Sequence, residues 1–167
     1  MATSTRAYIA LGSNLDNPES QLRKAVRALR ALPHSRVAAV SPVYQNPAIG
    51  PGTQPDYLNA VVALDTTLSA VDLLHALQHI ESDQGRRRDV RWGARTLDLD
   101  IALFGSEVIA TAELQIPHPR LCERHFVLRP LLDIAPALTL PDGSPLRRHL
   151  DSSAQAELTR LPLSIED

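Results

Sequence analysis

The segment Thr96-Leu-Asp-Leu-Asp-Ile-Ala-Leu-Phe104 constrains the fold more than any other stretch of this chain. Acids alternate with large apolar residues at period two. As a β-strand the segment places Asp98 and Asp100 on one face and Leu97, Leu99, Ile101 and Leu103 on the other. A sheet with one covered face is therefore required, and its other face must leave the two acids where charge is tolerated. Asp is a poor strand former, so two in one strand call for some compensation.

The rest of the chain supplies partners for that strand. Residues 7–11 form a short β-type run that ends at the turn cluster Gly12-Ser13-Asn14. Asn17 as N-cap and Pro18 at the first helical position open a helix whose stripe is Leu22, Ala25, Val26, Leu29 and Leu32, stopped by Pro33. Arg36 to Gln45 returns to a β pattern, with Pro42 predicting an edge strand or a bulge. Asn46 to Asp56 holds three prolines and two glycines and reads as a working loop. Tyr57 to Asp65 is a strand with Tyr57, Asn59 and Val61 on one face and Leu58, Ala60 and Val62 on the other. Ser69 and Asp72 cap a second helix with Leu73, Leu74, Leu77 and Ile80 on its apolar side, ended by Gly85. After the acidic strand, Glu107 to Ile116 suits a hairpin, Pro119 to Ile134 is helix-compatible apart from Pro130, and Pro141-Asp-Gly143 is a turn before a short tail. The order predicts an α+β fold with a split β-α-β arrangement, an antiparallel or mixed sheet carrying both helices on one face and leaving the other free for a site.

Composition narrows the classes. The 167 residues fit one domain spanning 1–167, with 17 Lys plus Arg against 19 Asp plus Glu and a formal net charge of −2. A lone Cys122 forms no internal disulfide and predicts a structural thiol in a reducing, cytoplasmic setting. No apolar run approaches the roughly 20 residues that span a bilayer, so no membrane partner is expected. Near-neutral charge argues against generic nucleic-acid coating, so any anion site must be local.

Several residues could carry chemistry. Asp98 and Asp100, with Cα atoms roughly 6.5 to 7 Å apart in a strand, can converge on a hard cation or stand in water on a half-exposed strand. Arg86-Arg-Arg-Asp-Val-Arg-Trp-Gly-Ala-Arg95 holds five arginines and one acid in ten residues. Guanidinium forks beside metal-binding carboxylates suit a polyphosphate, although such a run alone is commonly a solvated loop. Trp92 within that loop is either an anchor or a lid. Tyr57 and Asn59 on one strand face offer an aromatic plane and a two-way amide to a flat heterocycle, or else a core Tyr beside a satisfied Asn. His118, between Pro117 and Pro119, suits phosphate binding or acid–base work. His75 and His79 lack a His-Glu-x-x-His pattern, and neither a P-loop nor a Gly-x-Gly-x-x-Gly is present.

Together, Ala7-Tyr-Ile-Ala-Leu-Gly-Ser-Asn-Leu15, Gln54-Pro-Asp-Tyr-Leu-Asn59, Arg91-Trp-Gly-Ala-Arg-Thr-Leu-Asp-Leu-Asp-Ile101, Pro117-His-Pro-Arg120 and Phe126-Val-Leu-Arg-Pro130 resemble the 6-hydroxymethyl-7,8-dihydropterin pyrophosphokinase family of folate biosynthesis. The resemblance runs from about residue 7 to 150. It implies a ferredoxin-like βαββαβ core with a C-terminal extension, and transfer of pyrophosphate from ATP to the pterin hydroxymethyl group with release of AMP. It also implies that Asp98 and Asp100 bind a pair of magnesium ions, with Arg86 and Arg95 beside them in catalysis. On the same basis Gln78, Glu81, Ile101, His118 and Arg124 join Arg86 and Arg95 around ATP. Tyr57 and Phe126 would sandwich the pterin, Asn59 would meet its polar edge, Gly12, Pro47 and Ile49 would line the pocket, and Trp92 would close over it. The chain departs from the family pattern at Ala94, where Pro is common, and around Arg124 at Cys122 and His125. A two-metal nucleotidyl transferase and a ferredoxin-like RNA-binding module are the alternatives, the second weakened by only six aromatic residues. A monomer acting on small molecules is expected.

Overall fold

A computed structural model describes residues 3–14, 17–47, 56–84, 97–150 and 158–166. Its element order is β1 (Thr5–Ser13), α1 (Pro18–Arg30), β2 (Ser35–Val40), β3 (Tyr44–Asn46), β4 (Tyr57–Thr66), α2 (Ala70–Asp83), β5 (Asp98–Phe104), a hairpin of β6 (Ile109–Ala110) and β7 (Gln115–Ile116), α3 (His125–Ile134) and β8 (Thr159–Arg160). Short 3-10 turns at Leu121–Glu123 and Leu146–His149 flank α3. The larger sheet runs β5-β1-β4-β3-β8, with β2 also pairing β4, and every pairing is antiparallel.

Local chemistry accounts for the helix starts. The Asn17 side chain accepts the Ser20 N–H at 3.4 Å ahead of Pro18, and Ser69 accepts that of Asp72 at 3.1 Å. Pro42 divides the expected second strand in two, β2 and β3, because proline cannot donate to a ladder.

The two faces carry separate cores. On one, α1 and α2 bury Leu22, Val26, Leu29, Leu73 and Leu77 against Ile9, Leu11, Val62, Leu64, Leu97, Leu99 and Ile101. The other face is not left free: α3 packs Val127, Leu128, Leu131 and Leu132 over Tyr8, Val61, Ala63, Ala102 and Leu103. Each such aliphatic side chain contributes about 1.5–3 kcal/mol through burial, enough together to hold a ten-residue helix through Pro130, which removes the donor that would reach the Phe126 carbonyl and crowds that carbonyl with its ring, at a cost of about 3 kcal/mol. Leu103 belongs to this second core, contrary to the simple alternation. A register shift between Tyr8 and Ile9 lets Ile9 face Ile101 and Tyr8 face Leu103, so the side-chain phase of β5 changes near its end. The tail also contributes: β8 pairs with β3, and Ile165 is buried in the first core.

Candidate functional site

Gly12 lies between two strands that each bring a polar residue to it. In the register, Gly12 pairs with Asn59 of β4 on one side and Asp98 of β5 on the other, while Ala10 pairs with Asp100. Directly paired residues share a face, and period two adds Tyr57 and Asp100, so five positions line one end of the face beyond the helix α3. A Cβ on Gly12 would sit 3.0 Å from Asn59 Oδ1 and 3.7 Å from Tyr57 Cδ1, so the missing side chain is what opens the floor between amide and ring. Asp98 and Asp100 are both half-buried.

The entry to α3 supplies the positive wall. An Arg124 guanidinium nitrogen is 4.0 Å from Asp100, and Arg124 Cζ lies 5.8 Å from the centroid of the Phe126 ring. His118 follows a cis Ile116–Pro117 peptide and is tied to β5 by its N–H, which donates to the Ala102 carbonyl at 3.0 Å. Its Nδ1 accepts the Arg120 N–H at 3.2 Å, which assigns the ring proton of the neutral imidazole to Nε2. Burial holds His118 below the usual imidazole range; Asp100 opposes the shift, and Arg124 and Arg120 add to it. The side chain is thus kept as a neutral Nε2–H donor.

Behind the Gly12 floor a second set of contacts joins β3 to α3. Tyr44 donates to Asp133 at 2.5 Å, and Arg129 donates to the other Asp133 oxygen at 3.1 Å. Burial first, then the Asp133 hydrogen bond, pushes the Tyr44 phenol up to about 12. Asn59 Nδ2 donates to Asn46 Oδ1, and Asn46 Nδ2 to the Pro47 carbonyl at 3.1 Å. Neither Asn46 nor the Tyr44–Asp133 contact is visible in the sequence pattern; Asn46 opens a breaker-rich stretch that reads as a loop, whereas it ends β3 and pairs with Tyr57, and Tyr44 and Asp133 are 89 residues apart.

Not all expected residues gather here. Glu81 is 2% exposed at the outer edge of β5, where its Oε2 accepts the Leu99 N–H at 2.8 Å. Leu99 separates the two acids, and β5 is an edge strand, so this carboxylate satisfies a ladder donor that has no strand to meet. Ile101 is buried in the first core, and among the described residues no hydrogen bond or ion pair joins Gln78 to the acidic face. Pro47 is exposed. Ile49, Arg86, Trp92 and Arg95 lie outside the described residues. Cys122 is half-buried, and burial raises its thiol pKa, as suits a structural thiol. His75 pairs with Glu113 at 2.7 Å and His79 with Asp83 at 3.4 Å, both on the surface. Among the described residues no cluster of three or more His, Cys, Asp or Glu could hold a metal, and no helix is long and apolar enough to cross a membrane.

Comparison with known proteins gives the family. The family model for 7,8-dihydro-6-hydroxymethylpterin-pyrophosphokinase (HPPK) matches residues 8–136. A 2-amino-4-hydroxy-6-hydroxymethyldihydropteridine pyrophosphokinase of Pseudomonas aeruginosa is 50% identical over 94% of this chain and 97% of its own length. One of the same name from Haemophilus influenzae is 44% identical over 93% and 97%. Among solved structures, an HPPK-DHPS in complex with substrates superposes with a TM-score of 0.73 at 12% identity over 96% of this chain, and wild-type Plasmodium falciparum HPPK-DHPS with pterin and p-hydroxybenzoate with 0.71 at 12% over 96%. This chain spans 47% of the length of each, and at that identity the likeness is one of fold. With one match covering most of the chain and relatives aligned nearly end to end, the chain belongs to the 7,8-dihydro-6-hydroxymethylpterin-pyrophosphokinase family.

Proposed function

We propose that the Gly12 end of the sheet is where this chain, an ATP-dependent pyrophosphokinase by family, transfers pyrophosphate from ATP to the hydroxymethyl group of 6-hydroxymethyl-7,8-dihydropterin in tetrahydrofolate synthesis. The observation that carries the assignment is the register itself: a single side-chain-free residue separates a buried amide and aromatic ring from a pair of carboxylates. A heterocycle on the first side has its substituent aimed at the second.

The reaction needs a primary alcohol held in line with one phosphorus. The hydroxymethyl oxygen forms the new bond to the β-phosphorus, the bond from that phosphorus to the α–β bridging oxygen breaks, AMP leaves, and the alcohol proton passes to solvent or a nearby base. Positioning supplies most of the rate enhancement. Tyr57 and Phe126 hold the ring between them, and Asn59 meets its polar edge. Trp92 closes over that pocket, while Arg124 and His118, a cation and a neutral donor near Asp100, take phosphate oxygens and Arg86 and Arg95 extend that set.

Asp98 and Asp100 fit a divalent cation. They share one face, and Asp100 remains 46% exposed with Arg124 as far as 4.0 Å away, which leaves its oxygens room for an additional ligand. Magnesium favours such a site, with one or two carboxylates completed by water and phosphate, and when bound it offsets phosphate charge. Glu81 then acts from beneath by holding Leu99, and any contact of Glu81, Gln78 or Ile101 with the nucleotide comes from the α2 side of the sheet. The order β5-β1-β4-β2 is read as ferredoxin-like, with residues beyond Phe104 as an extension, and the chain as one domain acting as a monomer.

Incubation with ATP, Mg²⁺ and the pterin tests this reading. Pterin-dependent AMP without free pyrophosphate is expected. Free pyrophosphate would indicate nucleotidyl transfer, ADP would indicate phosphoryl transfer, and RNA binding without turnover would overturn the enzymatic reading.

A further inference from the structure

We propose that Asn46 is a specificity-determining positioning residue: it fixes which way round the Asn59 amide faces, and with it the donor–acceptor order that a ring edge must offer. This rests on the pterin reading of the site. An asparagine amide has nearly the same shape in its two flipped orientations, so its partners decide between them. Asn46 Nδ2 donates to the Pro47 carbonyl at 3.1 Å, which turns Asn46 Oδ1 toward Asn59, and Asn59 Nδ2 donates to it. Flipping Asn46 would set its oxygen against the Pro47 carbonyl and its NH₂ against the NH₂ of Asn59. Flipping Asn59 alone would set two oxygens together. Both residues are buried, Asn46 at 7% and Asn59 at 5% exposure, so water does not readily repair either mismatch.

The consequence lies on the other side of Asn59. With Nδ2 held toward β3, Oδ1 is directed over Gly12, 3.0 Å from where a Cβ would stand, and it takes no hydrogen bond among the described residues. The site therefore offers an acceptor on its β1 side and the remaining amide N–H beside it. A lactam edge, with N–H next to C=O, meets that order in one register. A ring bearing a ring nitrogen acceptor next to an exocyclic amino group presents the reverse order and leaves both positions mismatched.

The test compares kcat/KM for 6-hydroxymethyl-7,8-dihydropterin with that for the 2,4-diamino analogue of the same dihydropteridine, in which the lactam carbonyl is replaced by an amino group. In Asn46→Ala the Asn59 amide is free to flip, and the preference for the lactam substrate is expected to fall at least tenfold, with KM for ATP within about threefold of wild type. Asn46→Asp can only accept from Asn59, so it is expected to keep the wild-type preference even if its melting temperature drops. A folded Asn46→Ala protein with unchanged preference overturns the proposal, as does an Asn46→Asp protein that loses it. Should Asn46→Ala fail to fold, the Asn46→Asp result decides alone. If the wild type turns over neither compound, the pterin reading itself falls and takes this inference with it, an outcome distinct from wild-type turnover with variant-independent preference.

Discussion

Glu81→Ala removes the carboxylate that accepts the Leu99 N–H at 2.8 Å. A hydrogen bond to a charged acceptor is worth about 1.5–3 kcal/mol net, and the abandoned N–H belongs to a buried residue, Leu99 at 4% exposure, two positions after the fully buried Leu97. Loss of the side chain also relieves the cost of keeping a carboxylate 2% exposed, which offsets part of that figure. The net expectation is about 2 kcal/mol, or a fall in melting temperature of roughly 4–8 °C for a chain of this length. Glu81→Gln keeps an oxygen acceptor and should lose about 1 kcal/mol or less. Urea unfolding gives the magnitudes, and amide hydrogen exchange locates them: Leu99 should lose protection in Glu81→Ala and retain most of it in Glu81→Gln. Because Leu99 lies between Asp98 and Asp100, KM for MgATP should rise in the alanine variant by more than the fraction unfolded explains. An Ala variant with unchanged midpoint and a protected Leu99 amide would show that β5 does not depend on this bond.

Other predictions follow from the same geometry. Gly12→Ala places a methyl 3.0 Å from Asn59 Oδ1, so KM for the pterin should rise tenfold or more while KM for ATP stays within about threefold and the melting temperature moves by only a few degrees, measured by steady-state kinetics and thermal unfolding. Asp98→Ala or Asp100→Ala should reduce turnover by at least about 10²-fold, and Asp100→Ala with little change in stability, since the 4.0 Å Arg124–Asp100 pair is partly exposed and worth about 1 kcal/mol or less. A large loss of stability with activity retained would refute that. The Tyr44 phenol, raised from 10.0 to about 12, holds its proton in the folded protein through a range where the unfolded chain releases it. Stability should therefore fall as pH rises from 10 toward 12, and Tyr44→Phe should remove that contribution to the slope and take a tyrosine titrating near 12 out of the 295 nm absorbance curve.

Which residues share a face in the candidate site was legible in the sequence for a definite reason. Alternation states which residues share a face, and that alone paired Asp98 with Asp100 and Tyr57 with Asn59. Caps are equally local, so Asn17 and Ser69 could be read in advance. The expectation of one uncovered sheet face did not hold, because the segment that becomes α3 carries an internal proline and reveals its role only when Leu128 and Leu131 find Val61 and Leu103. The misplacement of Leu103 has a similar origin, since a register shift belongs to a pair of strands and neither strand alone displays it.

By itself, then, the order of residues determined what periodicity and capping can encode: which segments are strands and helices, which side chains lie together on each strand, and which motifs point to a pterin and a polyphosphate. Tertiary structure decided what depends on partners distant along the chain. It set Gly12 between Asn59 and Asp98, turned Glu81 to the outer edge of β5, and oriented Asn59 through Asn46. Hydrogen bonds and strand register are properties of pairs, and their energies exist only once both members are in place.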